Sequence, residues 1–102
     1  MNSKNNFNNR CYKIVSSIPK GKISTYGDIA KVLGTKAYQA VGNAMAKNPN
    51  LISVPCHRVI ESDGSIGGYA LGTSKKITLL KKEGIIVKKD KVSNFKNLIH
   101  QF

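Results

Sequence analysis

Apolar residues recur along the first part of the chain in helical steps. Phe7, Cys11, Ile14, Val15 and Ile18 stand four, three, one and three positions apart, which predicts a helix over residues 7–18. Pro19-Lys20-Gly21-Lys22 breaks it. Thr25, with Asp28 three residues on, resembles a capping box. It predicts a second helix to about Leu33, with Ile29, Ala30, Val32 and Leu33 inward and Gly34 at its C-terminal end. Thr35 is then expected to cap a third helix, Lys36 to Lys47, whose Ala37, Ala40, Gly42 and Ala44 allow close approach before Asn48-Pro49-Asn50 stops it. Two short helices joined at Gly34-Thr35 fit a helix-turn-helix, and on pattern alone they fit any helical hairpin equally well.

Beyond Asn50 the texture changes. Leu51-Ile52-Ser53-Val54 reads as extended and apolar, leading into Pro55-Cys56-His57-Arg58-Val59-Ile60. Ser62-Asp63-Gly64 predicts a turn, and Gly67-Gly68 an irregular loop. Thr73 to Glu83 is helical again, with Ile77, Leu79 and Leu80 on its inner side and Gly84 after its end. Ile85-Ile86-Val87 suits a short strand or an extended tail, and Phe95 to Phe102 a last amphipathic turn or two. The expected class is mainly α: one small helical domain with a helix-turn-helix (winged-helix-like) DNA-binding core and an irregular active-site loop region. Residues 1–6 are expected to be a flexible lead-in, 7–87 the working domain, and 88–102 a basic C-terminal extension.

Charge favours one reading of the helical pair. Seventeen Lys and Arg face five Asp and Glu over 102 residues, a net charge of +12. Such an excess on a small domain is the footprint of a polyanion binder, which tilts the hairpin toward DNA. No apolar run approaches the roughly 20 residues needed to span a bilayer, so no membrane partner is expected. Two cysteines are too few for a disulfide scaffold, and the Asn-rich start carries no apolar secretory stretch. An intracellular, cytoplasmic address is expected, nuclear in a eukaryote.

Pro55-Cys56-His57-Arg58 is the densest group of reactive side chains. A Cys beside basic residues is expected to have a lowered pKa, and its thiolate is a nucleophile. In an extended segment, however, Cys56 and His57 would point to opposite faces, so proton transfer between them needs a bend or a bridging water. Without further context the pair also reads as a buried structural Cys beside a satisfied His. With no C-x-x-C or H-x-x-x-H spacing among Cys11, Cys56, His57 and His100, no metal is expected, and no other cofactor. Glu83 is the one acidic residue with a plausible inward role.

Pro55-Cys56-His57-Arg58-Val59-Ile60, followed by Gly67-Gly68-Tyr69 and Glu83-Gly84, closely resembles the active-site signature of the O6-alkylguanine-DNA alkyltransferases. Ser24-Thr25-Tyr26, Ala40-Val41-Gly42 and Asn48-Pro49 stand in the family's order, so the resemblance runs from about Phe7 to Val87. It implies an irreversible, single-turnover transfer of an alkyl group from O6-alkylguanine in double-stranded DNA to Cys56. The helix-turn-helix would enter the minor groove and the damaged base would be flipped into a pocket. His57 would deprotonate Cys56 through a water, Glu83 would orient the imidazole, and Asn48 would hold the turn and the active-site loop. Tyr26 would donate to a ring nitrogen of the base. The carbonyls of Cys56 and Val59 would accept from the exocyclic amine, the backbone N–H of Ala70 would address the alkylated oxygen, and Tyr69 and Met45 would wall the pocket.

By the same resemblance Thr35, Lys36, Ala37, Tyr38, Gln39 and Asn43 would meet DNA, the protein acting as a monomer. Gln39 stands where the family usually holds an intercalating Arg, and one residue fewer separates it from Tyr26. Alkyltransferase-like relatives, which grip the lesion and recruit excision repair without reacting, form the alternative; they typically replace the nucleophile, whereas Cys56 is intact.

Overall fold

The structure, a computed structural model, describes residues 7–51 and 53–102; the lead-in expected over residues 1–6, and Ile52, lie outside them. Helix α1 spans Phe7–Val15, with Cys11 and Val15 buried. It stops short of Ile18 because the Ser16 and Ser17 hydroxyls bond back to the carbonyls of Tyr12 (2.7 Å) and Ile14 (2.6 Å), competing with the helical ladder. Ile18 is nevertheless buried.

Strand β1 (Ser24–Thr25) leads into α2 (Tyr26–Val32), and the Thr25 side chain accepts the Asp28 backbone N–H at 3.0 Å. Gly34, at φ +77°, closes α2 in a Schellman motif, with Gly34 N–H on the Lys31 carbonyl and Thr35 N–H on that of Ala30. That use of Thr35 overturns its expected role as the next N-cap. Its hydroxyl instead accepts the Ala37 N–H at 3.1 Å, and α3 begins two residues later than expected, running Tyr38–Ala46. Val32, expected inward, is 47% exposed, while Ile29 and Ala30 carry the buried face of α2.

Leu51, Ser53 and Val54, the described part of the run expected to be extended, lie in turns and a bend instead. Asn48 Nδ2 donates to the Val54 carbonyl (2.9 Å), Asn48 Oδ1 accepts Asn50 N–H (2.9 Å), and Asn50 Oδ1 accepts Ser53 N–H (3.0 Å). These side chains supply the partners a neighbouring strand would otherwise provide, so the backbone turns. Cys56–Arg58 forms a single 3₁₀ turn rather than extended chain. Strand β2 (Val59–Ile60) then pairs in parallel with β1, Ser24 opposite Val59 and Thr25 opposite Ile60.

Helix α4 spans Thr73–Lys82, and its fully buried residues are Leu80 and, against expectation, Lys76; Leu79 and Ile77 are half-buried. Strands β3 (Val87–Lys88) and β4 (Lys91–Val92) form a hairpin, and α5 spans Phe95–Leu98. The last residues return to the body of the domain: Ile23 N–H donates to the Leu98 carbonyl and His100 N–H to that of Ile23. Phe95 packs so closely on Gly64 that a Cβ there would stand 2.7 Å from its ring, and Gly64 also sits at φ +93°. Only glycine satisfies both demands.

Two hydrophobic clusters result. One joins α1, α2 and α3 through Cys11, Val15, Ile29, Val41 and Ala44 and reaches Cys56 and Val59. The other gathers Ile23, Ile60, Ile66, Leu80, Ile85 and Val92. The β1–β2 pair lies between them, so the reactive tetrad is anchored where both clusters meet. The architecture is a mainly helical domain, as the apolar pattern predicts, with α2 and α3 joined by the tight turn expected of a helix-turn-helix.

Candidate functional site

A cavity of about 310 Å³ opens beside Cys56. Helix α2 contributes Tyr26 to its wall, α3 contributes Gly42, Met45 and Ala46, and the loop before α4 contributes Gly68, Tyr69 and Ala70; Glu61 completes it. Tyr26, Met45, Cys56, Tyr69 and Ala70, far apart in sequence, thus line one cavity, whereas Val59 is fully buried and does not line it. Neither His57, which follows Cys56 in the 3₁₀ turn, nor Glu83, bonded to the His57 ring, lines the cavity. His57 is buried, its ring 6.4 Å from that of Tyr69 in an edge-on arrangement. Asn48 is buried beneath the turn it holds through the Val54 carbonyl.

Glu83 caps α4 at its C-terminal end and is the hub of the polar network. Its Oε2 accepts from His57 Nε2 at 3.0 Å, and its carboxylate takes Arg58 Nε at 2.9 and 3.2 Å and Nη2 at 2.7 Å. Arg58 Nη1 reaches on to the Ile18 carbonyl at 2.8 Å, clamping the 3₁₀ turn to the chain beyond α1. Burial pushes the Glu83 carboxyl up, but the hydrogen bonds and charges of Arg58 and His57 outweigh it and hold the group below its ordinary value. For His57, burial lowers the pKa, and Glu83 only partly offsets it. The imidazole is therefore neutral at pH 7, with Nε2 donating to Glu83. Its Nδ1 has no protein partner among the described residues and is left as a bare acceptor, free to take a proton.

The expected lowering of the Cys56 pKa is overturned. Burial raises it, and the Asn48 side chain and the Lys76 charge lower it by less. The basic neighbour in sequence, Arg58, spends its charge on Glu83, so the resting group is a thiol that needs a base. The 3₁₀ turn also removes the alternation that would have set Cys56 and His57 on opposite faces. Cys11 is a different case: it is fully buried in the α1 packing, its thiol pushed up to about 11 by burial, and it does not line the cavity.

Lys76 went unpredicted. It is completely buried, and its Nζ donates to the carbonyls of Val59 (2.7 Å) and Gly68 (3.0 Å) while standing 5.9 Å from the Tyr26 ring centroid. Burial pushes its pKa down to about 8, against the pull of Cys56 and Glu61. The signal was its position four residues before Leu80, on the helix face that turns inward. Tyr26 is pushed up to about 12 by burial and then by the Cys56 and Glu61 charges, so its hydroxyl stays a donor.

On the outer face of α3, Lys36, Ala37, Tyr38, Gln39, Ala40 and Asn43 line an open groove, with Tyr38 57% exposed. A second cleft, of about 340 Å³, runs from Tyr38 and Gln39 past Gly27 and Ser62 and shares Tyr26, Gly42 and Glu61 with the Cys56 cavity. The cleft thus lies between the outer groove and the inner cavity and shares wall residues with each. Thr35 lines neither. Among the described residues no three His, Cys, Asp or Glu stand together as a metal site, and no helix is long and apolar enough to cross a membrane.

Comparison with known proteins gives a consistent result. Residues 6–85 match the family described as 6-O-methylguanine DNA methyltransferase, DNA binding domain. The methylated-DNA–protein-cysteine methyltransferase of Metallosphaera sedula is 45% identical over 84 residues, 82% of this chain and 53% of that protein. The protein of the same name from Saccharolobus solfataricus is 51% identical over 74 residues, 72% of this chain and 48% of its own length. This chain thus spans about half the length of these relatives. Among solved structures, S. pombe Atl1 in complex with damaged DNA containing O6-carboxymethylguanine superposes with a TM-score of 0.84 at 31% identity, covering 94% of this chain and 95% of that one. Mycobacterium tuberculosis OGT in complex with DNA superposes at 0.75 and 41% identity, covering 78% and 49%. With residues 6–85 of this chain matched to the family's domain, and a Cys-bearing cavity beside a helix-turn-helix, the chain belongs to the 6-O-methylguanine DNA methyltransferase family of DNA-repair proteins.

Proposed function

We propose that this chain repairs alkylated DNA by moving the alkyl group of an O6-alkylguanine to Cys56, once per molecule. The observation that carries the reading is the thiol on the wall of a 310 Å³ cavity with the His57–Glu83 pair behind it. A flipped purine fits a space of that size between Tyr26, Met45 and Tyr69.

The neutral imidazole supports the chemistry. His57 Nδ1 takes the Cys56 proton through a water, and Glu83, bonded to Nε2, stabilises the imidazolium that forms. The sulfur then attacks the alkyl carbon. A carbon–sulfur bond forms, the carbon–oxygen bond breaks, and its electron pair leaves with the guanine. The Tyr26 hydroxyl, kept protonated by its raised pKa, donates to a ring nitrogen of the departing base, and the Ala70 N–H addresses the oxygen. The resulting thioether has no good leaving group on sulfur, so the protein is spent.

Duplex DNA containing the lesion is the partner this reading requires. The exposed face of α3 around Tyr38 and Gln39 and the net charge of +12 support it. Gln39 can imitate the hydrogen bonds of an inserted Arg without its charge or stacking plane, and the exposed Tyr38 ring next to it can fill the vacated stack.

Gln39, together with the end-to-end likeness to S. pombe Atl1, favours a second reading in which the chain binds the lesion without reacting. Analysis of the DNA after incubation separates the two. Transfer restores guanine in the strand, with at most one lesion lost per protein molecule however long the incubation. An O6-methylguanine content that stays constant while the protein remains bound supports the binding reading and contradicts transfer.

A further inference from the structure

One of the chain's five acidic residues, Glu61, lies on the wall of the Cys56 cavity and also on that of the adjoining cleft. A carboxylate at this junction repels the phosphates of any duplex seated on α3, so its presence calls for a compensating donor on the ligand. The described residues give its side chain no hydrogen-bond or ion-pair partner, unlike Glu83, which is triply held.

The neighbouring acceptors are differently occupied. The Val59 carbonyl, expected to receive the exocyclic amine of the base, already accepts the Lys76 ammonium at 2.7 Å. A second donor at that oxygen would share it with a buried cation. Glu61, exposed and with a charge felt by Lys76 and Tyr26, offers a carboxylate with no hydrogen bond to the described residues instead. Its Oε2 and the Tyr26 hydroxyl oxygen each lie 3.4 Å from the point where a Cβ on Gly67 would stand, with the Glu61 Cγ 3.3 Å from it. Gly67, at φ +71°, keeps that corner open. In guanine the exocyclic amine sits on the carbon flanked by two ring nitrogens. A base whose ring nitrogen on that edge accepts from Tyr26 therefore presents its amine to the adjacent carboxylate.

We propose that Glu61 is the guanine-selecting residue of the cavity, its carboxylate accepting an N–H of the exocyclic amine. The assignment rests on the reading of an O6-alkylguanine in this cavity. It sets Glu61 apart from the groups that move protons: it reads the base and takes no part in the displacement at carbon. The same charge that disfavours phosphate gives a charge-assisted hydrogen bond to an amine.

The test compares two duplexes that differ only in the amine: one with O6-methylguanine, one with O6-methylhypoxanthine. Single-turnover kinetics yields the affinity of the initial complex and the transfer rate separately. The native protein is expected to favour the amine-bearing lesion about tenfold, the low end for a bond to a charged group at a solvent-accessible rim. Glu61→Ala should bring the ratio to about one, and Glu61→Gln, which keeps a neutral acceptor, to an intermediate value. A general gain in DNA affinity from removing the charge cancels in the ratio. A native ratio near one, or a preference that survives Glu61→Ala undiminished, overturns the assignment. If neither duplex transfers its methyl group, the transfer reading fails, yet the ratio of the two affinities still decides the role of Glu61.

Discussion

Replacing Cys56 with Ala is expected to abolish alkyl transfer completely while leaving affinity for lesion-bearing duplex within about threefold of native. Among the described residues no second thiol lines the cavity to take over the role. Cys11 is sealed in the first hydrophobic cluster, and its thiol is harder to ionise than an ordinary one. The Cys56 side chain is itself buried, so its loss removes little surface that DNA touches, and trimming one sulfur costs the core only about 1 kcal/mol. Cys11→Ala is expected to keep full transfer. Loss of transfer in that variant, with Cys56→Ala still active, would reassign the nucleophile.

The second large effect belongs to Glu83→Ala. Removing this carboxylate leaves the Arg58 guanidinium in a mostly buried position with only the Ile18 carbonyl, and leaves His57 Nε2 with no acceptor. Breaking a buried ion pair from one side costs about 3 kcal/mol, because the surviving charge stays uncompensated. Transfer should fall about 100-fold in molecules that remain folded, since the imidazole loses both the group that fixes its tautomer and the charge that favours its protonated form. Glu83→Gln should lie between. The pH dependence carries a sign that can be checked. The folded Glu83 holds its proton less tightly than the unfolded chain does, so its contribution is present at neutral pH and is lost as pH falls from 4.5 through the folded value. His57, also lowered, adds a loss that begins as pH falls below 6.5, where the unfolded chain protonates first. In a His57→Gln background, which removes the imidazole's own titration, denaturant unfolding at pH 7 and pH 3 should show the protein that keeps Glu83 losing more stability over that interval than its Glu83→Ala counterpart. Equal losses would mean that Glu83 is not held by these partners.

Much of the site is legible in the sequence, because its residues are bound to local backbone rules. The Thr25 cap and the Gly34 C-terminus are decided within a few residues, by a hydroxyl three positions from an amide and by a positive φ. The tetrad and its satellites are a motif read in order. What failed depended on which neighbour arrives first. Thr35 could cap α3 only if that helix began at Lys36, and its hydroxyl instead holds Ala37, which stands at the N-cap position of the helix that forms. The apolar run at 51–54 would be extended only if Asn48 and Asn50 did not supply partners of their own. The Cys56 pKa followed charge in sequence only until Arg58 was found committed to Glu83. Lys76 and Glu61 were hidden for a related reason. One lies in an apolar face and the other in an exposed turn, and only the folded chain sets Glu61 on the cavity wall and Lys76 beneath it, on the Val59 and Gly68 carbonyls.

The intact mass of the protein after incubation with excess O6-methylguanine duplex tests the central claim most directly. The account predicts a gain of about 14 Da, one methyl group replacing one proton, on a single residue, and peptide mapping should locate it on the segment containing Cys56. Unchanged mass after a long incubation, or a methyl group found on Cys11, would contradict it.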